Sequence, residues 1–150
     1  MSLFALDTNL LVYAHNTASK FNPAAVAFLE KALNERDDQG DLSVCLPAQV
    51  VQEFVHVVTW QRLEKALSLP KAIQIVEDYL DTGIRIVYPK ETQLATFLSL
   101  LKVTTTRQKV FDVALAATLK DNEVGGLYTV NVADFETFDF LEVINPLPPE

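Results

Sequence analysis

Four apolar residues, Leu3-Phe4-Ala5-Leu6, run without a polar break and stop at a carboxylate, Asp7. A run with no polar alternation suits a strand covered on both faces, as in a parallel sheet. Asp7 then stands at the carboxyl end of that strand, and open α/β sheets bind ligands in the crevice beyond those ends. The same aspartate also fits the N-cap of a following helix, because Leu10, Leu11 and Tyr13 come next. On this stretch alone both readings stay open.

Four further runs have strand character: Leu42 to Leu46, Ile84 to Tyr88, Leu127 to Val130, and a short Glu142 to Ile144. Helical patterns separate them. Thr8 to His15 reads as a short helix, and Asn22-Pro23 as an N-cap with proline in first position, opening a helix to about Arg36. From Pro47 a helix carries Val50, Val51, Phe54, Val57 and Val58 at three-to-four spacing and is expected to extend past Trp60. Pro70 opens another, with Ala72, Ile75, Val76 and Tyr79 inward and Gly83 just beyond its end. Helices around Leu94–Leu101 and Val110–Leu119 follow, and Gly125-Gly126 reads as a turn. Strands alternating with helices predict an α/β fold with a mostly parallel sheet.

The 150 residues form one ordinary domain on this reading, with no repeat or linker and an apolar share of 49% that excludes disorder. A single cysteine, Cys45, rules out an internal disulfide framework and fits a cytoplasmic location. No run of about 18 apolar residues offers a membrane span, and Asp7 and Asn9 break what would be a signal peptide's apolar core. The net charge of −8 argues against gripping nucleic acid by bulk electrostatics. That objection weakens if several acids share one site and hold divalent cations.

Three more acids lie in unusual settings. Glu53 falls about 40° from Val57 and about 60° from Val50 on a helical projection, so it borders the apolar stripe. It is either a boundary glutamate reaching water or a site residue. Asp112 has Leu115, Ala116 and Leu119 within about 60°, and an unpaired buried carboxylate needs a cation, a metal or a hydrogen-bonded partner. Arg107, Lys109 or the helix dipole could serve structurally. Asp134 follows the fourth strand, as a turn residue or as a further acid beyond a strand end. Like charges gathered in one crevice repel unless something positive sits between them, and Mg²⁺ or Mn²⁺ suits oxygen ligands.

With these residues in view, the chain resembles the PIN domain ribonucleases, and within them the VapC-like toxins of toxin–antitoxin pairs. The resemblance rests on Leu6-Asp7-Thr8-Asn9, on Glu53 in a valine-rich helix, on Asp112-Val113-Ala114-Leu115-Ala116-Ala117, on Thr129-Val130-Asn131-Val132-Ala133-Asp134-Phe135, and on Val143-Ile144-Asn145-Pro146. It spans nearly the whole chain. The resemblance implies a PIN-like three-layer sandwich, five parallel strands with helices on both faces. It makes Asp7, Glu53, Asp112 and Asp134 the catalytic, metal-binding acids, with Thr8, Asn9, Thr129 and Asn131 as polar supports. It also implies Mg²⁺- or Mn²⁺-dependent hydrolysis of RNA to 5′-phosphate and 3′-hydroxyl ends, a cognate antitoxin and a homodimer. The acidic segment from Arg36 to Asp41 and the net charge depart from the pattern and bear on RNA docking.

For RNA contact the candidates are Lys102, Arg107 and Lys109, with Arg62, Lys65 and Lys71 behind them and solvated helix faces as the competing reading. Trp60, Phe135, Phe138 and Phe140 could stack bases or fill the core. Val12, Tyr13, Phe54 and Val58 serve equally as an interface or as core. One cysteine and two separated histidines, His15 and His56, argue against zinc and against histidine acid–base cleavage. A Mg²⁺-dependent phosphatase of another α/β family is one alternative, though Asn9 stands where its second aspartate would be. A non-catalytic PIN-fold partner-binding domain is the other.

Overall fold

The computed structural model describes residues 3–104 and 109–149. Five strands, β1 (Phe4–Leu6), β2 (Val44–Pro47), β3 (Arg85–Val87), β4 (Gly126–Tyr128) and β5 (Glu142–Ile144), form one parallel sheet in the order β3-β2-β1-β4-β5. Between them lie α1 (Thr8–Ala14), α2 (Asn22–Ala32), α3 (Ala48–Val58), α4 (Leu69–Asp81), α5 (Gln93–Leu101), α6 (Val110–Asp121) and α7 (Val132–Phe135).

Strand order decides where a site can lie. From β1 the chain steps outward to β2 and β3, then returns to place β4 on the other side of β1 and β5 beyond it. Right-handed crossovers therefore put α1 to α4 on one face and α5 to α7 on the other. Helix packing agrees, since α1 touches α2 and α3, α3 touches α4, and α6 touches α5 and α7. The strand order reverses between β1 and β4, where Leu6 pairs with Tyr128 and the Asp7 N–H donates to the Tyr128 carbonyl at 3.0 Å. A crevice at such a reversal is the usual ligand position of open α/β sheets.

The apolar pattern explains the layers. Along α3, Val50, Phe54 and Val58 are buried at four-residue spacing, while α6 buries every position from Val113 to Leu119 except Ala114. A helix buried this fully lies in the core and not on its rim. Ser68 caps α4 by accepting from the Lys71 N–H at 3.2 Å, and Gly83, at φ +79°, ends it in a conformation only glycine adopts freely.

Several boundaries differ from expectation. The helix from Asn22 stops at Ala32, because Arg36 leaves it for an antiparallel bridge with Leu42 and its guanidinium donates to the Gly40 and Thr82 carbonyls. The helix from Pro47 stops at Val58, short of Trp60, where the Leu67 N–H takes the Val58 carbonyl at 2.8 Å. Gly126 belongs to β4 and not to a turn, and the strand needs glycine there because the Phe4 ring fills the space a Cβ would take. Phe135 and Phe138 are buried and the Phe138–Phe140 centroids lie 5.9 Å apart, so these rings pack inward. Val12, Phe54 and Val58 are likewise core residues. Among the described residues no helix is long and apolar enough to cross a membrane.

Candidate metal and nucleic-acid site

The sharp turn from β1 into α1 carries Asp7 out of the sheet and straight onto a helix N-terminus. Its Oδ1 accepts the Thr8 N–H at 2.8 Å, so the capping reading holds. Its Oδ2 accepts the Thr129 hydroxyl at 2.7 Å, across 122 residues of sequence. Both Asp7 and Thr129 are buried. Thr129 Oγ1 in turn accepts the Asn131 N–H at 3.0 Å, so the end of β4 is clamped to the end of β1 through one hydroxyl. Burial pushes the Asp7 carboxyl upward, the bonds from Thr129 and Thr8 hold it down, and the charges of Glu53 and Asp134 push it up again.

A second link joins α1 to α3 and α6. Thr8 Oγ1 donates to Glu53 Oε2 at 2.9 Å. Gln49, one turn earlier on α3, uses its amide nitrogen twice, toward Glu53 Oε1 at 3.2 Å and toward the Phe111 carbonyl at 3.1 Å. The residue after that carbonyl is Asp112, in the first turn of α6. Glu53 is therefore a solvent-exposed carboxylate held in place from two sides. Sequence reasoning missed Gln49, since a glutamine on a helix carries no spacing signal. Its i,i+4 relation to Glu53 is the one clue available.

Asp112 shows the electrostatics most plainly. Its carboxyl is pushed up to about 6, first by burial, then by the charges of Asp134, Asp7 and Glu53, with Lys109 offsetting part of the effect. The four acids thus feel one another although they come from the ends of β1 and β4 and from α3 and α6. Asp134 itself sits on the four-residue α7, an element too short to carry a sequence pattern.

Of the other expected residues, Thr8 and Thr129 bond acids directly and Asn131 acts through its backbone, while Asn9 is half-buried on α1. Lys109 is half-buried at the start of α6, and Lys102 is exposed at the end of α5. Arg107 lies outside the described residues. Arg62, Lys65 and Lys71 are exposed, as is Trp60. His15 packs between Phe54 and Tyr79 and shares a 2.8 Å hydrogen bond with the Tyr79 hydroxyl. His56 is exposed on α3.

Four carboxylates with hydroxyl and amide supports make a hard-oxygen donor set, the kind that suits Mg²⁺ or Mn²⁺ and does not suit soft metals. Among the described residues, no three acid, histidine or cysteine groups are already spaced to ligate one ion together. The chemistry of the donors fits such an ion, and the side chains of Glu53, Asp112 and Asp134 would have to close on it.

Thr129→Val tests the clamp. Loss of the hydroxyl leaves a buried carboxylate oxygen without its donor, and the variant is expected to lose about 1–3 kcal/mol of stability at neutral pH in chemical denaturation. Metal affinity should fall about 10- to 100-fold, the usual range for a residue that orients a ligand. Isothermal titration with Mn²⁺ measures the second effect.

No protein-family model matches the chain. In sequence it is 26% identical, over 97% of its own length and 97% of the relative's, to Ribonuclease VapC24 of Mycobacterium tuberculosis. In structure it resembles the FitAB complex bound to an IR36 DNA fragment, with a TM-score of 0.69 at 22% identity and coverage of 99% and 98%. It also resembles Mycobacterium tuberculosis VapC20, a sarcin–ricin-loop-cleaving toxin, with a TM-score of 0.64, 12% identity and coverage of 90% and 95%. A third likeness is to VapBC2 of Rickettsia felis on promoter DNA, with a TM-score of 0.63, 16% identity and coverage of 95% and 97%.

Proposed function

We propose that this VapC-like chain of PIN-type α/β fold is an endoribonuclease toxin whose RNA hydrolysis depends on Mg²⁺ or Mn²⁺, with residues 1–150 acting as one PIN domain. The observation that carries the reading is that Asp7, Glu53 and Asp134 all lie close enough to Asp112 for their charges to add to burial in pushing its carboxyl up to about 6. Neutral burial or a surface ion pair gives no reason to gather four acids. A divalent cation does.

Asp7, Glu53, Asp112 and Asp134 would hold the metal, which when bound lowers the pKa of coordinated water and neutralises charge on the phosphate. The chain's own part is positional. Thr129 fixes Asp7, Thr8 and Gln49 fix Glu53, and the Gln49 bond to the Phe111 carbonyl ties the first turn of α6 to α3. Asn9 and Asn131 are assigned as further polar supports of the acids, and Lys102, Arg107 and Lys109 are the basic groups assigned to the RNA backbone. The relatives in toxin–antitoxin complexes support a cognate antitoxin as partner. The cytoplasm as location and a homodimer as working form belong to the same proposal.

The test is a nuclease assay on single-stranded RNA with protein free of host nucleases. Cleavage is expected with Mn²⁺, should stop on adding EDTA, and should return with excess Mn²⁺, leaving 5′-phosphate ends. Cleavage that persists in EDTA, or ends carrying a cyclic phosphate, would rule the mechanism out. Activity confined to a panel of small phosphate esters would point to a phosphatase.

A further inference from the structure

Beyond the carboxyl ends of β4 and β5, with a wall at Asn131 that is linked through Thr129 to Asp7, lies a cavity of about 330 Å³. It is lined by Tyr13, Phe21, Val130, Asn131, Asn145 and residues 147–149. We propose that this cavity receives one unstacked nucleobase of the RNA, beside the bond that is cut, so that cleavage is selective for base. The proposal rests on the nuclease reading and adds to it where substrate choice is made.

Position comes first. The Asn131 N–H bonds Thr129 Oγ1, whose hydroxyl bonds Asp7, so the cavity wall is two hydrogen bonds from the buried acid. A nucleotide whose phosphate lies at the acids therefore has its own or its neighbour's base within reach of the cavity.

Chemistry comes second. The Tyr13 and Phe21 rings lie 4.9 Å apart at 36°, and Lys20 stands with its Nζ 5.1 Å from the Phe21 ring centroid. Unstacked bases are held by aromatic rings together with hydrogen bonds to their edges. Asn22 fixes the ring platform by donating to the Tyr13 and Ala14 carbonyls at 2.8 and 3.1 Å. Two carboxamides line the same space. Asn145 spends its Oδ1 on the Leu147 N–H at 3.0 Å, which leaves its NH₂ group to donate. The Asn131 side chain is exposed and makes no hydrogen bond among the described residues. The Asn131 amide can therefore pair with a base edge through a donor and an acceptor at once, and Asn145 adds a donor.

The lining also decides against a cationic occupant. The chain carries a charge of −8, yet among the described residues no carboxylate lines this cavity. An arginine side chain from a protein partner would find a better home at the acids than in this lining, whereas a neutral base edge loses nothing here. A volume near the lower end of ligand pockets suits one base and not a folded peptide segment.

Two measurements test it on the intact protein. Binding of eight-nucleotide homopolymers of A, C, G and U, read by fluorescence anisotropy in EDTA, is expected to show one base favoured about 10-fold. End-sequencing of a randomised RNA cut with Mn²⁺ should show the same base at one fixed position from the cut. Asn145→Ala and, separately, Tyr13→Leu should reduce both preferences to within about 3-fold while cleavage of disfavoured RNA continues. Two variants at distant points of the lining guard against one of them unfolding. Base bias that survives both folded variants, or its absence in the parent, overturns the proposal and leaves the nuclease reading standing. Base-selective binding lost in the variants, without cleavage in any preparation, supports the cavity and removes the nuclease. Variants that bind all four RNAs as the parent does, but bind an arginine-rich peptide less well, assign the cavity to a protein partner and overturn it.

Discussion

An Asp112→Asn protein is expected to lose Mn²⁺-dependent RNA cleavage by at least about 100-fold, since even residues that only orient a metal ligand cost 10- to 100-fold, and yet to be more stable than its parent when metal is withheld. The two effects have one cause. Burial and three neighbouring acids raise the Asp112 carboxyl from 3.8 to about 6. The folded protein therefore holds this proton more tightly than the unfolded chain does. As pH rises from about 4 to about 6 the fold loses stability through this group, and above about 6 the whole penalty is present. Asparagine keeps the shape and removes the charge. Because Asp112 is only half-buried, solvent screens part of the repulsion, and the gain at pH 7.5 should be about 1–2 kcal/mol.

Thermal melting in EDTA at pH 7.5 and at pH 4.5 checks the sign. The variant should melt several degrees above the parent at the higher pH, and the gap should close at the lower, where the parent's carboxyl is protonated. With Mn²⁺ the order should reverse, because a ligand that binds only the folded state stabilises it and the variant binds less. Metal affinity of the parent should climb as pH passes 6, as protons leave the acids. A variant less stable than the parent in EDTA would make Asp112 a structural ion-pair partner, with Lys109 as its counterion.

What the sequence disclosed follows the range of the interactions involved. The five strands are legible because each is a short, largely apolar run, and Asp7 is legible because it stops one, whereas Asp134 lies beyond the end of β4 on α7. Asp112 stands out because a carboxylate on an apolar helix needs an explanation within a few residues. Gln49 does not stand out, since its meaning depends on the Phe111 carbonyl 62 positions away. Thr129 is named through the family resemblance alone, because its partner Asp7 is 122 positions distant, and the cavity is not foreseen, because it exists only where the chain from Asn145 to Pro149 folds back beside Tyr13 and Asn131. The early end of α2 turns on local chemistry that competes with helix. The Asp37 carboxylate accepts the Gln39 and Asp41 N–H groups, each at 2.9 Å, and draws the chain into a turn.

Phe54→Ala is expected to lower stability by about 3–5 kcal/mol, the largest stability effect of any change considered, because it empties a nearly complete aromatic volume from the core. Phe54 is 1% exposed and its ring meets His15 edge-on at 5.6 Å, so it lies in the seam between α3 and the end of α1. That seam matters to the site as well as to the core. Glu53 precedes Phe54 on α3, Thr8 opens α1, and the 2.9 Å bond between them spans the two helices that Phe54 holds together. A collapsed or loosened seam should therefore weaken Mn²⁺ binding even in the fraction that stays folded. Urea unfolding gives the stability change, and Mn²⁺ titration at low urea gives the second. Trp60→Ala is the control, since Trp60 is 55% exposed and surface changes away from such features stay within about 0.5 kcal/mol. If Phe54 were an interface residue, truncating it would shift the oligomeric state in size-exclusion chromatography and leave a monomer's unfolding midpoint nearly unchanged. Burial to 1% within a single chain predicts the opposite pattern.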